Sequence, residues 1–225
     1  MIAACRQVKA QYPHITPLGC LAHTLHLLIG DLYKLEFIYS FVESVVAVVK
    51  KIRGKQVLNA LFKRYRGSKF VGLHLPGATR WGSILQCLQS VKSNKKAILK
   101  LLISDEGIQH IPVEIRNQIV LTTFWEKLDV IIDIMSPVVK YIIRLEGNDL
   151  NIHQVYLALY DINSSMNVLL GEAPSYVIDP GAAASILLLL ENCKQFAVEP
   201  IYLAAYLLDP YNQGNLLELL NELTF

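Results

Sequence analysis

The chain reads as mainly α-helical, with a single short strand candidate near its amino end. Three observations lead there. Apolar residues make up 53% of 225 positions, enough to bury one large core or two small ones. Most of them recur at the helical spacing of three and four. The 12 glycines and 9 prolines fall mainly between apolar runs, as short connections between helices require.

Taken in order, Ile2, Cys5, Val8 and Lys9 outline a short amphipathic helix that Pro13 ends. Residues 14–19 (His14 to Gly19) have extended character and are the one strand candidate. From Leu21 the period becomes helical through Leu25, Leu28, Ile29 and Leu32, then Phe37, Phe41, Val45, Val49 and Ile52. This run over 21–53 is one long helix or two with a break near Leu35, and Gly54 closes it. A basic helix follows over 57–65, and the glycines and prolines of 66–78 make the longest loop of this half. Thr79 is placed to cap a helix carrying Trp81, Ile84, Leu85 and Leu88, and a lysine-rich helix follows over 95–102. Residues 104–111 read as a turn. Pro112 opens a helical run from Ile115 to Met135, which Pro137 is expected to kink by removing a donor. Asp149 is expected to cap a helix over 150–170, Asp179-Pro180 to start one reaching Phe196, and Pro200 to start one reaching Leu208. Gly214 sets off a last short helix.

Charge divides the chain. Residues 1–100 hold 16 Lys and Arg against Asp31, Glu36 and Glu43, whereas residues 101–225 hold 5 basic and 16 acidic residues. A basic half beside an acidic one points to a polyanionic partner, or to two halves that attract each other. The four cysteines are scattered and read as reduced thiols, not a disulfide frame. No apolar stretch is long enough to span a membrane, so no membrane partner is expected. Apolar patterns running up to both ends lead to the expectation that they are internal cuts, or the boundaries of a degraded reading frame.

Two clusters carry candidate chemistry. In Gly19-Cys20-Leu21-Ala22-His23-Thr24-Leu25-His26, Cys20, His23 and His26 are of a type that binds zinc, but no second Cys or His pair follows. A hydrogen-bonded buried histidine and a role beside a phosphate or catalytic carboxylate are the competing readings, and no metal is assigned to this chain. In Pro76-Gly77-Ala78-Thr79-Arg80-Trp81-Gly82-Ser83, an arginine beside a tryptophan offers a phosphate clamp and a stacking platform. Core packing for Trp81 and a solvated ion pair for Arg80 remain the alternative. Thr79, Lys95 and Lys96 join Arg80 and Trp81 as nucleic-acid-binding candidates. Trp125 sits beside Phe124, cannot fully share its stripe, and is expected to seat against a neighbouring domain. Glu146, at a helix end whose dipole disfavours it, calls for a basic partner such as Arg144 or a lysine of the other half.

In order and separation these pieces resemble the hAT superfamily of DNA transposases. The matching stretches are Met1-Ile2-Ala3-Ala4, Gly19 through Leu28, Thr79 through Ser83, Phe124-Trp125, Pro137 with Leu145-Glu146, and Leu208-Asp209-Pro210, spanning residues 1 to roughly 211. The resemblance implies a partial ribonuclease H-like (α/β) domain over 1–78 joined to an all-helical insertion domain over 79–225. It further implies a parent enzyme that cuts and joins DNA through three carboxylates holding Mg or Mn, all three outside this chain. Cys20 and His23 match the family's Cys-x-x-His element, which supports the active site. Trp81 matches a tryptophan associated with a flipped base, and Arg80 supports it near the backbone. Relatives usually carry asparagine where this chain has His26. Asp31 matches a common family position on the helix and is not taken as a metal ligand. The implied partner is DNA and the implied compartment the nucleus, with homo-oligomerisation through a downstream region. The expected function is therefore DNA binding by a fragment inactive on its own. The alternative is a domesticated or relic DNA- or protein-binding module without catalysis in the parent.

Overall fold

The computed structural model describes residues 2–16, 18–68, 71–77, 81–147, 151–197 and 199–212. Among these the chain forms α1 (Ile2–Gln11), α2 (Leu21–Lys34), α3 (Glu36–Gly54), α4 (Gln56–Arg66), α5 (Trp81–Ser93) and α6 (Lys95–Leu102). It continues with α7 (Asp105–His110), α8 (Val113–Val120), α9 (Thr122–Glu146), α10 (Gln154–Glu172), α11 (Pro180–Ala197) and α12 (Pro200–Leu208), and a 3-10 turn at Pro210–Asn212. No strand occurs among the described residues, and no helix of them is long and apolar enough to cross a membrane.

The mainly helical fold class is thus what the residues form, while the strand expected at 14–19 is not. Residues 14–16 and 18–20 carry no ladder, and an extended segment without a partner has nowhere to place its backbone donors and acceptors. Instead the Ile15 amide turns back to the Tyr12 carbonyl at 3.0 Å. The Tyr202 hydroxyl of α12 donates to the Gly19 carbonyl at 3.1 Å.

The run over 21–53 is two helices. Leu35 leaves helical geometry (φ −60°, ψ 123°), and its backbone serves both ends. Its amide donates to Leu32, and its carbonyl accepts from Ile38 and Tyr39. The bend lets Leu32 and Ile38 both be fully buried. Residues 105–110, expected as part of a turn, are helical because Ser104 Oγ accepts the Gly107 amide at 3.1 Å and Asp105 and Glu106 sit in the favourable first turn. A Cβ on Gly107 would lie 1.9 Å from the Leu101 carbonyl oxygen, so only glycine fits there. The run from Ile115 to Met135 is also two helices, broken at Leu121 (ψ 137°), where neither glycine nor proline marks the sequence. Trp125 makes the break tolerable, since its indole Nε1 donates to the Ile119 carbonyl at 2.8 Å.

α9 is the spine of the molecule and continues through Pro137 as one helix. It packs on α2, α5, α8 and α10; α2 also packs on α3 and α11, and α4 on α3, α6 and α7. Buried side chains of α2–α4 and of α5, α6 and α8–α12 belong to one hydrophobic cluster, so the helices of the two expected domains share a core. Each fully buried Leu, Ile or Val in it contributes about 1.5–3 kcal/mol. Further ties join the layers. Tyr141 of α9 donates to Asp161 of α10, and Lys92 of α5 pairs with Asp129 of α9 at 2.8 Å.

The later starts are as the sequence implies. Asp179 Oδ1 accepts the Ala182 amide at 2.9 Å at the head of α11, and Pro200 occupies the first turn of α12. The cap expected of Asp149 and the helix expected beyond Gly214 lie outside the described residues.

Candidate nucleic-acid interface

α2 has two faces. Leu21, Leu25, Leu28, Ile29 and Leu32 form the buried stripe. His23, His26, Gly30 and Tyr33 recur at three- and four-residue spacing on the opposite side. Cys20 precedes the first turn as an exposed residue. Its carbonyl accepts both the Thr24 amide and the Thr24 hydroxyl. His23 is exposed and has no hydrogen-bond partner among the described residues. His26 Nε2 lies 3.0 Å from Glu146 Oε1, in position to donate to the carboxylate. Glu146 thus finds its partner in a histidine of α2. Arg144, expected in that role, lies instead over the Tyr141 ring. Both groups are well exposed, so the pair is worth about 0–1 kcal/mol.

Trp81 opens α5 and is half-buried. Its indole lies against Gly30, where a Cβ would meet Cζ2 at 3.3 Å, and its ring centroid is 5.4 Å from that of Tyr33. Tyr33 in turn meets Tyr39 edge-on at 5.6 Å and donates to Glu43 at 3.2 Å. Burial, then that carboxylate, pushes the Tyr33 phenol up to about 12. Trp81 is therefore seated on α2, with part of its surface facing solvent. It stands roughly 10 Å along the helix axis from His23, seven residues at about 1.5 Å each. The histidine and tryptophan clusters share one side of α2 but do not converge on a single point. Thr79 and Arg80 lie outside the described residues.

Trp125 is not an outward contact. It is 4% exposed, and the Lys95 ammonium sits 4.9 Å from its ring centre. Lys95 thus covers a core aromatic while remaining exposed, whereas Lys96 is exposed with no ion-pair partner among the described residues. Asp31 pairs with Lys34 at 2.8 Å. No group of three or more His, Cys, Asp or Glu side chains among the described residues is placed to hold a metal ion.

The basic surface lies on α3, α4 and α6. Between Glu43 and Asp105 the sequence holds no acidic residue and 13 Lys and Arg. Arg53, Lys63, Arg64, Lys96 and Lys100 are exposed and meet no carboxylate among the described residues. Lys55 lies 3.3 Å from His110 Nδ1. Residues 71–77, between α4 and α5, are held by side chains of α5 and by Asn94 just beyond it. Ser83 Oγ accepts the Gly77 amide at 2.9 Å, and Ser90 Oγ accepts the His74 amide at 3.0 Å. Asn94 Nδ2 donates to the Val71 carbonyl at 2.8 Å.

Ser83 stands in the cluster already singled out in the sequence, though without this role, and sequence reasoning missed Ser90 and Asn94. The signal was there in Ser90 and Asn94, polar residues four apart among Cys87, Leu88 and Val91. It also missed Gly30, whose glycine inside a helix costs about 1 kcal/mol and so marks a close approach.

These features define a mainly helical protein in which the described residues share one core, a mixed histidine–aromatic stripe and a basic surface. No protein-family model, curated protein or solved structure matches the chain.

Proposed function

We propose that this chain is a DNA-binding helical module derived from an hAT-type transposase, with the strand-cutting carboxylates of the parent lying outside it. The observation that carries DNA binding is the acid-free stretch between Glu43 and Asp105. Its exposed cations on α3, α4 and α6 meet no carboxylate within reach among the described residues. Such cations release counterions when phosphates replace them, which is the main source of non-specific DNA affinity. The transposase descent rests on the ordered motifs alone. In this reading the solvent-facing part of Trp81 meets a base, while Gly30 and Tyr33 support its other side. Cys20 and His23 belong to the part of the fold that abuts the missing catalytic centre. Mg or Mn would serve the complete parent enzyme, and action on DNA places the protein in the nucleus.

The test is fluorescence anisotropy with a labelled duplex over a salt series. Six phosphate contacts would give a slope of about −5 in log affinity against log salt and roughly a 10³-fold loss between 50 and 200 mM. Arg64→Gln, Lys96→Gln and Lys100→Gln should each lower the slope by about one where they contact phosphate. Trp81→Ala should weaken binding to DNA with an unpaired base more than to intact duplex. Binding that is absent, or insensitive to salt and to all three cations, would refute the proposal.

A further inference from the structure

The last turn of α3, the outer side of α4 and the loop at residues 72–73 enclose a cleft of about 230 Å³. Phe62 and Leu73, both buried, give it apolar walls. Arg53, Lys63 and Arg66 bring three positive charges to it, and Asn59 adds an amide. No acidic side chain among the described residues lines it.

Cations in a last helical turn are usually explained by the negative end of the helix dipole, and Arg53 and Lys63 fit that account. Arg66 does not. Its Nε is fully buried and has no hydrogen-bond partner among the described residues. Its Nη1 lies 3.3 Å from where a Cβ on Gly72 would be, so the guanidinium reaches into the cleft instead of back to the carbonyls of α4. A buried charged donor without an acceptor is costly, and the lining offers it none that is anionic. Sites for drug-sized ligands occupy about 300–1,000 Å³; this cleft is smaller and suits a single oxyanion. Arginine is the side chain best matched to phosphate oxygens, through two parallel N–H donors.

We infer that this cleft binds one phosphate group, with Arg66 as the inner ligand, Arg53 and Lys63 as the outer charges, and Gly72 leaving room for the guanidinium. The inference deepens the DNA-binding reading, and so rests on it for the source of the phosphate, but the site itself stands on the cleft.

The experiment uses the full chain and inorganic phosphate as the probe, followed by calorimetric titration at fixed ionic strength against chloride. Arg66→Gln should abolish phosphate binding and Lys63→Gln should weaken it at least tenfold, while Lys194→Gln, exposed on α11 and away from the cleft, leaves it unchanged. Circular dichroism confirms that each variant folds. Equal phosphate binding by wild type, Arg66→Gln and Lys63→Gln, or none by wild type at 50 mM phosphate, overturns the site. A second arm compares oligonucleotides with and without a 5′-phosphate as competitors. Competition only by the phosphorylated strand assigns the site to a DNA end, and competition by neither assigns it to free phosphate. Phosphate binding that persists when duplex binding proves salt-insensitive would sink the DNA reading and leave the phosphate site standing.

Discussion

Gly30 is the position where the seating of Trp81 can be weighed. In a helix interior, alanine is favoured over glycine by about 0.8–1.0 kcal/mol. Against that gain stands the Trp81 ring, whose Cζ2 would be 3.3 Å from the new methyl group. That is a few tenths of an ångström inside ordinary contact, and overpacking penalties run at about 1–3 kcal/mol. Trp81 is half-buried at the first position of α5, so it yields more easily than a core residue and the penalty falls at the low end. Gly30→Ala should therefore leave stability nearly unchanged. In a Trp81→Ala background the obstacle is gone, and the same change should stabilise by about 0.8–1.0 kcal/mol. Urea unfolding of the four proteins, followed by circular dichroism, gives the coupling as the difference, about 1 kcal/mol. Equal effects in both backgrounds, with coupling below about 0.3 kcal/mol, would mean the indole is not seated on α2.

Three further expectations follow from the same geometry. Asn94→Ala removes the donor that holds the Val71 carbonyl and should cost about 1–3 kcal/mol. Urea melts measure the loss and protease cleavage within 67–77 should quicken; unchanged cleavage would show that Asn94 does not hold the loop. Tyr33 and Tyr141 are both raised to about 12, by burial first and then by Glu43 and Asp161. Their contribution to stability is complete below pH 10, where the unfolded phenols begin to ionise, and is lost as pH rises through about 12. Tyr33→Phe and Tyr141→Phe should each flatten the fall in stability between pH 9 and 11, and an unaltered slope would count against the assigned burial. Burial pushes the Cys87 and Cys193 thiols up to about 11, whereas Cys20 is exposed. Iodoacetamide followed by peptide mass mapping should modify Cys20 in the folded protein and reach Cys87 and Cys193 only with unfolding; rapid native labelling of Cys87 would be the contrary result.

Long-period patterns were easy to read, and compensated breaks were not. The stripes of α2 and α3, and the Asp179-Pro180 and Pro200 starts, follow from spacing and cap chemistry that act locally. The break near Leu35 is one of the two readings the spacing leaves open, whereas the break at Leu121 carries no glycine or proline to mark it. Ile38 and Tyr39 amides serve the first, and the Trp125 indole serves the second. That bond to the Ile119 carbonyl also explains why Trp125 faces inward, against the expectation drawn from its position beside Phe124. Residues 14–19 looked like a strand because their composition is extended, but a strand is a property of a pair of segments. At the candidate interface, the excess of cations was visible as a count. What composition could not show was the covering of Trp125 by Lys95 or the approach of the residue 71–77 loop to α5. Both depend on which helices become neighbours.

The place of α2 in the core has a consequence for synthesis on the ribosome. Its buried stripe is covered by α9 and α11, which are encoded roughly 100 and 160 residues later. At about 5–20 residues per second, α2 emerges on the order of 10–35 s before Ala197 completes α11. Through that interval Leu21, Leu25 and Ile29 have only local partners, so the nascent chain presents a greasy segment that holding chaperones can grip. A truncated transcript ending before α9 would leave that segment permanently uncovered. Its product should be cleared by proteolysis, however sound the amino-terminal helices are by themselves.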